Sequence, residues 1–97
     1  MRIKYWAIER HSMTFKKVAL VTGSATGVGA ATALGLAQRG YNLVINYSKS
    51  ESEAKASEAA CRAAGTDTLL VQGDVSDDAA CKAMVEATLT KWQRLDA

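Results

Sequence analysis

Three features of this 97-residue sequence predict an α/β fold built on a parallel sheet: short apolar runs without polar alternation, helical segments between them, and a glycine cluster straight after the first run. Runs that do not alternate are strands covered on both faces. Strands that alternate with helices are joined by right-handed crossovers, which place helices on both sides of the sheet. The expected order is βαβαβα, half of a doubly wound sheet with strands in the spatial order 3-2-1.

Val18-Ala19-Leu20-Val21, bounded by Lys16-Lys17 and Gly23, is the first strand. Val28 to Arg39 carries Val28, Ala31, Leu34 (or Gly35) and Gln38 at helical spacing, and Gly40 is its stop signal. Leu43-Val44-Ile45 forms a second strand that ends near Tyr47. Ser50 and Glu53 have the spacing of a capping box, opening an Ala-rich helix that runs to Ala64 and stops at Gly65. Thr68-Leu69-Leu70-Val71 is the third strand. Ser76 is the expected cap of a last helix in which Cys81, Met84, Val85, Thr88, Leu89 and Trp92 share one face.

Composition narrows the classes. Apolar residues make up 48% of the chain, but 18 of them are Ala, so the expected core is thin. No apolar run approaches the roughly 20 residues of a membrane span. The net charge of +2 comes from scattered side chains and leaves no basic stripe for nucleic acid. Cys61, Cys81 and the single His11 are too few for a disulfide scaffold or a zinc cage. The two Cys read as small buried hydrophobes in a reducing, cytoplasmic compartment. Residues 1–15 fit neither a secretory signal nor the periodic pattern that follows, and are expected to be a disordered extension ahead of a partial domain over 16–97.

Thr22-Gly23-Ser24-Ala25-Thr26-Gly27-Val28-Gly29 lies between the first strand and the first helix. A diphosphate is held by free backbone N–H groups and the positive end of a helix dipole, and it reaches the main chain only where Cβ atoms are missing. The usual dinucleotide fingerprint spaces its glycines two and then three apart; here Gly23, Gly27 and Gly29 are four and then two apart. An NTPase phosphate loop would need Gly-Lys-Ser/Thr, and Gly27 is followed by Val28.

Thr-Gly-x-x-x-Gly-x-Gly after an N-terminal strand resembles the cofactor motif of the short-chain dehydrogenase/reductase family, and Gly73-Asp74-Val75 resembles that family's second motif. The wording Lys-Val-Ala-Leu-Val-Thr-Gly and Val-Ile-Asn-Tyr-Ser is similar to the acyl-carrier-protein ketoreductase and glucose dehydrogenase branches, and the likeness covers about Phe15 to Ala97. The resemblance implies a Rossmann-type sheet and a nicotinamide dinucleotide. Gly23, Gly27 and Gly29 would shape the pocket and the Val28 N–H would meet the diphosphate. Ser24 and Thr26 would border the adenosine ribose, and Asp74 with Val75 would hold adenine.

An NAD-selective site places a carboxylate after the second strand. The sequence there reads Asn46-Tyr47-Ser48-Lys49, with no acid before Glu51, so Tyr47, Ser48 and Lys49 join the expected site and NADP is the expected cofactor. Lys49 or Arg39 is the expected partner of a 2′-phosphate. Thr26 stands where many NADP-using relatives carry Arg.

The family's reaction, hydride transfer to or from a small carbonyl or alcohol substrate, uses a Tyr with a Lys four residues on. Tyr5, Tyr41 and Tyr47 are followed at that distance by Glu9, Ile45 and Glu51, so no catalytic residue is assigned. The chain is expected to be cut short: a cofactor-binding piece, weakly stable and weakly binding by itself, of an enzyme that the resemblance implies is a homo-oligomer. A non-catalytic nucleotide-binding or interaction module is the alternative. A methyltransferase-like nucleoside site is disfavoured by the glycine spacing and by Gly73-Asp74-Val75.

Overall fold

The computed structural model of the chain describes residues 16–97; the expectation for residues 1–15 lies outside them. The elements are β1 (Val18–Val21), α1 (Gly27–Gln38), β2 (Asn42–Tyr47), α2 (Glu51–Ala63), β3 (Thr68–Gln72) and α3 (Asp78–Trp92). All three strands are parallel, with β2 between β1 and β3. Read from the opposite edge, this is the expected 3-2-1.

The register explains the two faces. Ala19 lies beside Leu43 and Val21 beside Ile45, and these side chains meet Ala33 and Ala37 of α1 and Ala54 and Cys61 of α2. Residues one step out of phase, Val18 and Val44, point the other way and pack with Trp92 of α3. The helices that touch the sheet through Ala can lie close to it, which is how a chain poor in large side chains still closes a core. Leu43, Val44 and Ile45 are all fully buried, each contributing about 1.5–3 kcal/mol on transfer from water. Cys61 is buried as expected, whereas Cys81 is half-buried and its thiol donates to the Val75 carbonyl.

Three local expectations are corrected. Ser50 does occupy the N-cap of α2, but its backbone (φ −96°, ψ 75°) is not extended and its hydroxyl makes no capping bond; the capping box needs that extended geometry. Ser76 does not cap α3. Its N–H and hydroxyl both donate to Asp74 Oδ1, and Asp77 takes the cap instead, accepting from the Ala79 N–H at 3.0 Å. On α3 the row Met84, Thr88, Trp92 is buried, while Val85 and Leu89 are exposed. A single i, i+4, i+8 row suffices to cover a narrow sheet, and the flanking row is left outside.

Beyond β1, on the edge away from β2, run Asp96 and Ala97. Ala97 donates to the Val18 carbonyl and accepts from the Leu20 N–H at 2.8 Å, the bracketing pattern of parallel pairing around Ala19. The Asp96 carboxylate accepts the Val18 N–H at 2.8 Å and pairs with Arg94 at 2.8 Å. The Arg94 guanidinium, and then the Val18 amide, hold the Asp96 carboxyl below its ordinary value.

Because the folded-state value is lowered, this contribution to stability is present above the unfolded carboxylate pKa of about 4 and is lost as pH falls through the folded one. Thermal melts of Asp96→Ala should therefore give a lower Tm than the parent at pH 7, with the gap narrowing as pH falls below the ordinary carboxylate value of about 4. A gap that persists unchanged in acid would show that the carboxylate charge is not what holds this edge.

Candidate functional site

The chain leaves β1 at Val21, turns through Thr22–Thr26 and enters α1 at Gly27. Gly23 and Gly27 both have φ of +60°, a conformation that strains any residue with a Cβ. Gly29 is required for another reason: a Cβ there would lie 2.1 Å from the Gly23 carbonyl oxygen. What lies against Gly29 is the turn itself.

The first intrahelical bond of α1 runs from the Ala30 N–H to the Thr26 carbonyl. The N–H groups of Gly27, Val28 and Gly29 precede it and have no acceptor within the helix. Thr26 is the N-cap, but its hydroxyl does not cap them, and no acidic residue stands in the first turn. Val28 is 83% exposed, so the mouth is open. The helix begins with uncapped amides at its positive end.

Other groups hold the turn from behind. Asn46, the fifth residue of β2, is 2% exposed. Its Oδ1 accepts the Gly23 N–H at 3.0 Å, and its Nδ2 donates to the carbonyls of Val71 at 3.3 Å and Gly73 at 3.1 Å. Its backbone carbonyl accepts the Ser24 N–H at 3.0 Å, and its N–H donates to Ser24 Oγ at 2.8 Å. Ser57 of α2 donates its hydroxyl to the Ser24 carbonyl at 2.8 Å. Ser24 is thus fully buried, with its hydroxyl engaged inward; it anchors the turn and is not presented to a ribose. Neither Asn46 nor Ser57 stood out as a site residue in the sequence. The available signal was a polar residue at the end of an otherwise apolar buried strand.

A cavity of about 260 Å³ opens beside this turn, lined by Gly23, Ala25 and Thr26 on one side and Tyr47, Ser48, Lys49 and Ser50 on the other. Of the expected site residues it brings Thr26, Tyr47, Ser48 and Lys49 together, along with Gly23. Lys49 is the one charged residue of the lining, and no carboxylate belongs to it. Gln72 supports this rim by donating to the Ser48 carbonyl at 3.1 Å. Arg39 does not belong here. It follows the 12-residue α1, about 18 Å along the axis from the glycine turn, at the end of the sheet where β2 begins.

Asp74 and Val75 follow β3 on the same side of the sheet as the turn, and both are exposed. Asp74 closes an Asx turn through Ser76, and the Ser76 N–H, then its hydroxyl, together with the nearby Lys49 charge, lower the Asp74 pKa. One carboxylate oxygen is spent on that turn. A wider, open depression of about 850 Å³ runs along α3 beside Asp78, Cys81, Lys82 and Val85 and includes none of the expected site residues.

Among the described residues there is no cluster of three or more metal-ligating side chains. No described helix is long and apolar enough to cross a membrane.

Comparison with known proteins agrees with this fold. The chain is 38% identical over 84 residues to the 3-oxoacyl-acyl-carrier-protein reductase FabG of Staphylococcus aureus, covering 87% of this chain and 34% of that protein. It is 38% identical over 80 residues to the short-chain dehydrogenase/reductase homolog YusS of Bacillus subtilis, covering 82% of this chain and 73% of that one. A crystal structure of a short-chain dehydrogenase/reductase from Burkholderia xenovorans superposes with a TM-score of 0.84 at 41% identity, over 87% of this chain and 35% of that one. The chain therefore spans about a third of the length of the FabG relative. The family model for short chain dehydrogenases matches residues 17–97, from the lysine before β1 to the last residue, and the chain belongs to that family.

Proposed function

We propose that this chain is the cofactor-binding part of an NAD(P)-dependent oxidoreductase that moves hydride between NADP(H) and a carbonyl or alcohol substrate. The observation that carries the reading is the set of uncapped amides at Gly27, Val28 and Gly29, open to solvent beside a cavity whose only charged residue is Lys49. A diphosphate supplies the acceptors these amides lack, and the α1 dipole adds to the attraction. The nicotinamide, when bound, gives or takes the hydride; the residues of this chain grip the other end of the molecule.

Each residue then has a physical task. Gly23 and Gly27 give the turn its left-handed bends, and Gly29 lets the Gly23 carbonyl sit against α1. The Val28 amide faces the diphosphate. Thr26, Tyr47 and Ser48 wall the ribose, and Lys49 pairs with a 2′-phosphate that meets no carboxylate in that cavity. Asp74, with its free oxygen, and Val75 hold the adenine edge. Proton transfer is not among these tasks. Tyr41 and Tyr47 have no Lys four residues on, so neither has the partner that the family's reaction pairs with its Tyr. The substrate, its proton donor and a homo-oligomeric assembly belong to the full-length gene product. The reading is of a cytoplasmic protein whose thiols stay reduced: burial, and then the charge of Glu58, push the Cys61 thiol pKa up.

Titration of the full-length gene product with NADPH and NADH tests the cofactor choice. NADPH should bind more tightly, and Lys49→Ala should weaken NADPH about tenfold while changing NADH by less than about twofold. Tighter NADH binding by the parent would remove the NADP assignment. Gly29→Ala should abolish measurable binding of both, because the new methyl forces the turn away from α1, and overpacking of this kind costs about 1–3 kcal/mol of stability. Unchanged nucleotide affinity in that variant would remove the turn from the site.

A further inference from the structure

The buried side-chain amide of Asn46 meets three backbone groups from two strand ends, and their chemistry allows it one orientation. Val71 and Gly73 offer carbonyl acceptors, and Gly23 offers an N–H donor. Only an amide with nitrogen toward β3 and oxygen toward the glycine turn satisfies all three. A flipped amide would set oxygen against two carbonyls and nitrogen against an N–H. β3 thus fixes the direction in which Asn46 holds Gly23.

The Gly23 carbonyl, on the same residue, lies against Gly29. The chain of contacts runs from the end of β3, through Asn46, to the Gly23 peptide and on to the amides that open α1. We infer that Asn46 is a positioning residue for the diphosphate-binding turn: its amide, locked by the Val71 and Gly73 carbonyls, orients Gly23 so that α1 starts with its amides exposed. This rests on the dinucleotide reading above. It adds a residue that is buried and touches no ligand itself.

Replacing Asn46 with Ala removes the side-chain partner of the Gly23 N–H and of the Val71 and Gly73 carbonyls. The turn then has more freedom, and a ligand must supply the order that Asn46 provided. The loss falls on ligands that use the diphosphate turn, and less on those held by the cavity rim and Lys49 alone. Asn46→Ser is the milder companion, since its hydroxyl keeps a polar group in place but is too short to bridge β3 and Gly23.

Two probes separate positioning from general damage: ADP, which carries a diphosphate, and 2′-AMP, which carries only the ribose phosphate. Both are titrated into the full-length gene product below the Tm of each variant. Exchange of the Gly23 amide with solvent deuterium is followed by NMR.

The expected result in either variant is ADP binding weakened about tenfold (about 1.4 kcal/mol), 2′-AMP changed less than about threefold, and faster exchange at Gly23. If both ligands weaken equally, Asn46 only supports the fold and the inference is overturned; unchanged ADP binding overturns it too. In either case a parent that binds ADP leaves the dinucleotide reading standing. A parent that binds neither probe overturns that reading and this inference together. Should Asn46→Ala fail to fold, Asn46→Ser alone decides between these outcomes.

Discussion

A single buried amide joins the carboxyl ends of all three strands. β1 and β3 pair with β2 through backbone bonds, and the Asn46 side chain adds a direct link between Gly23 in the loop after β1 and Gly73 in the loop after β3. Burying an amide is costly unless its polar atoms are all matched, and here both are. The backbone of the same residue is matched as well, by Ser24. A residue that satisfies so many groups at once leaves little alternative geometry, and the glycine turn inherits that definition.

From this anchor follows the division of labour among the glycines. Gly23 and Gly27 are conformational, because their φ values lie where a Cβ is strained. Gly29 is steric, because it receives the carbonyl of a residue that Asn46 has already placed. The amides of Gly23 and Ser24 are consumed in holding the turn, and those of Gly27, Val28 and Gly29 are left over. One short segment, Gly23 to Gly29, supplies both the scaffold and the open donors. The uncapped start of α1 would be a defect in a purely structural helix; beside a cavity that bears a lysine it leaves donors for the diphosphate we propose.

The element order, the parallel sheet and the need for residues without a Cβ in the turn after β1 were legible in the sequence because each rests on local chemistry: apolar runs, helical period and backbone sterics. The failures all needed partners distant in the chain or a choice between close competitors. Ser24 was read as a ribose contact, yet its hydroxyl is claimed by Asn46, 22 residues away. Ser76 and Asp77 are both good caps, and Asp74 decides between them by binding Ser76 first. Arg39 was chosen for its charge, but a helix of 12 residues carries it to the far end of the sheet. Val85 and Leu89 fit the apolar stripe of α3, and only the width of the sheet tells which row of that stripe is covered.

The place of the site follows from winding. α1 and α2 lie on one face of the sheet, and α3 on the other. The connection through α3 returns the chain past β2 to the open side of β1, where Ala97 brackets Ala19 in parallel register and Asp96 receives the Val18 N–H. β1 is therefore flanked on one side by a strand reached through the first face and on the other by chain reached through the second. In open α/β sheets the loops at such a reversal diverge and leave a crevice at the strand carboxyl ends. The loop that leaves β1 is the glycine turn, so the sheet topology puts the uncapped amides of α1 at the strand carboxyl ends, next to this reversal.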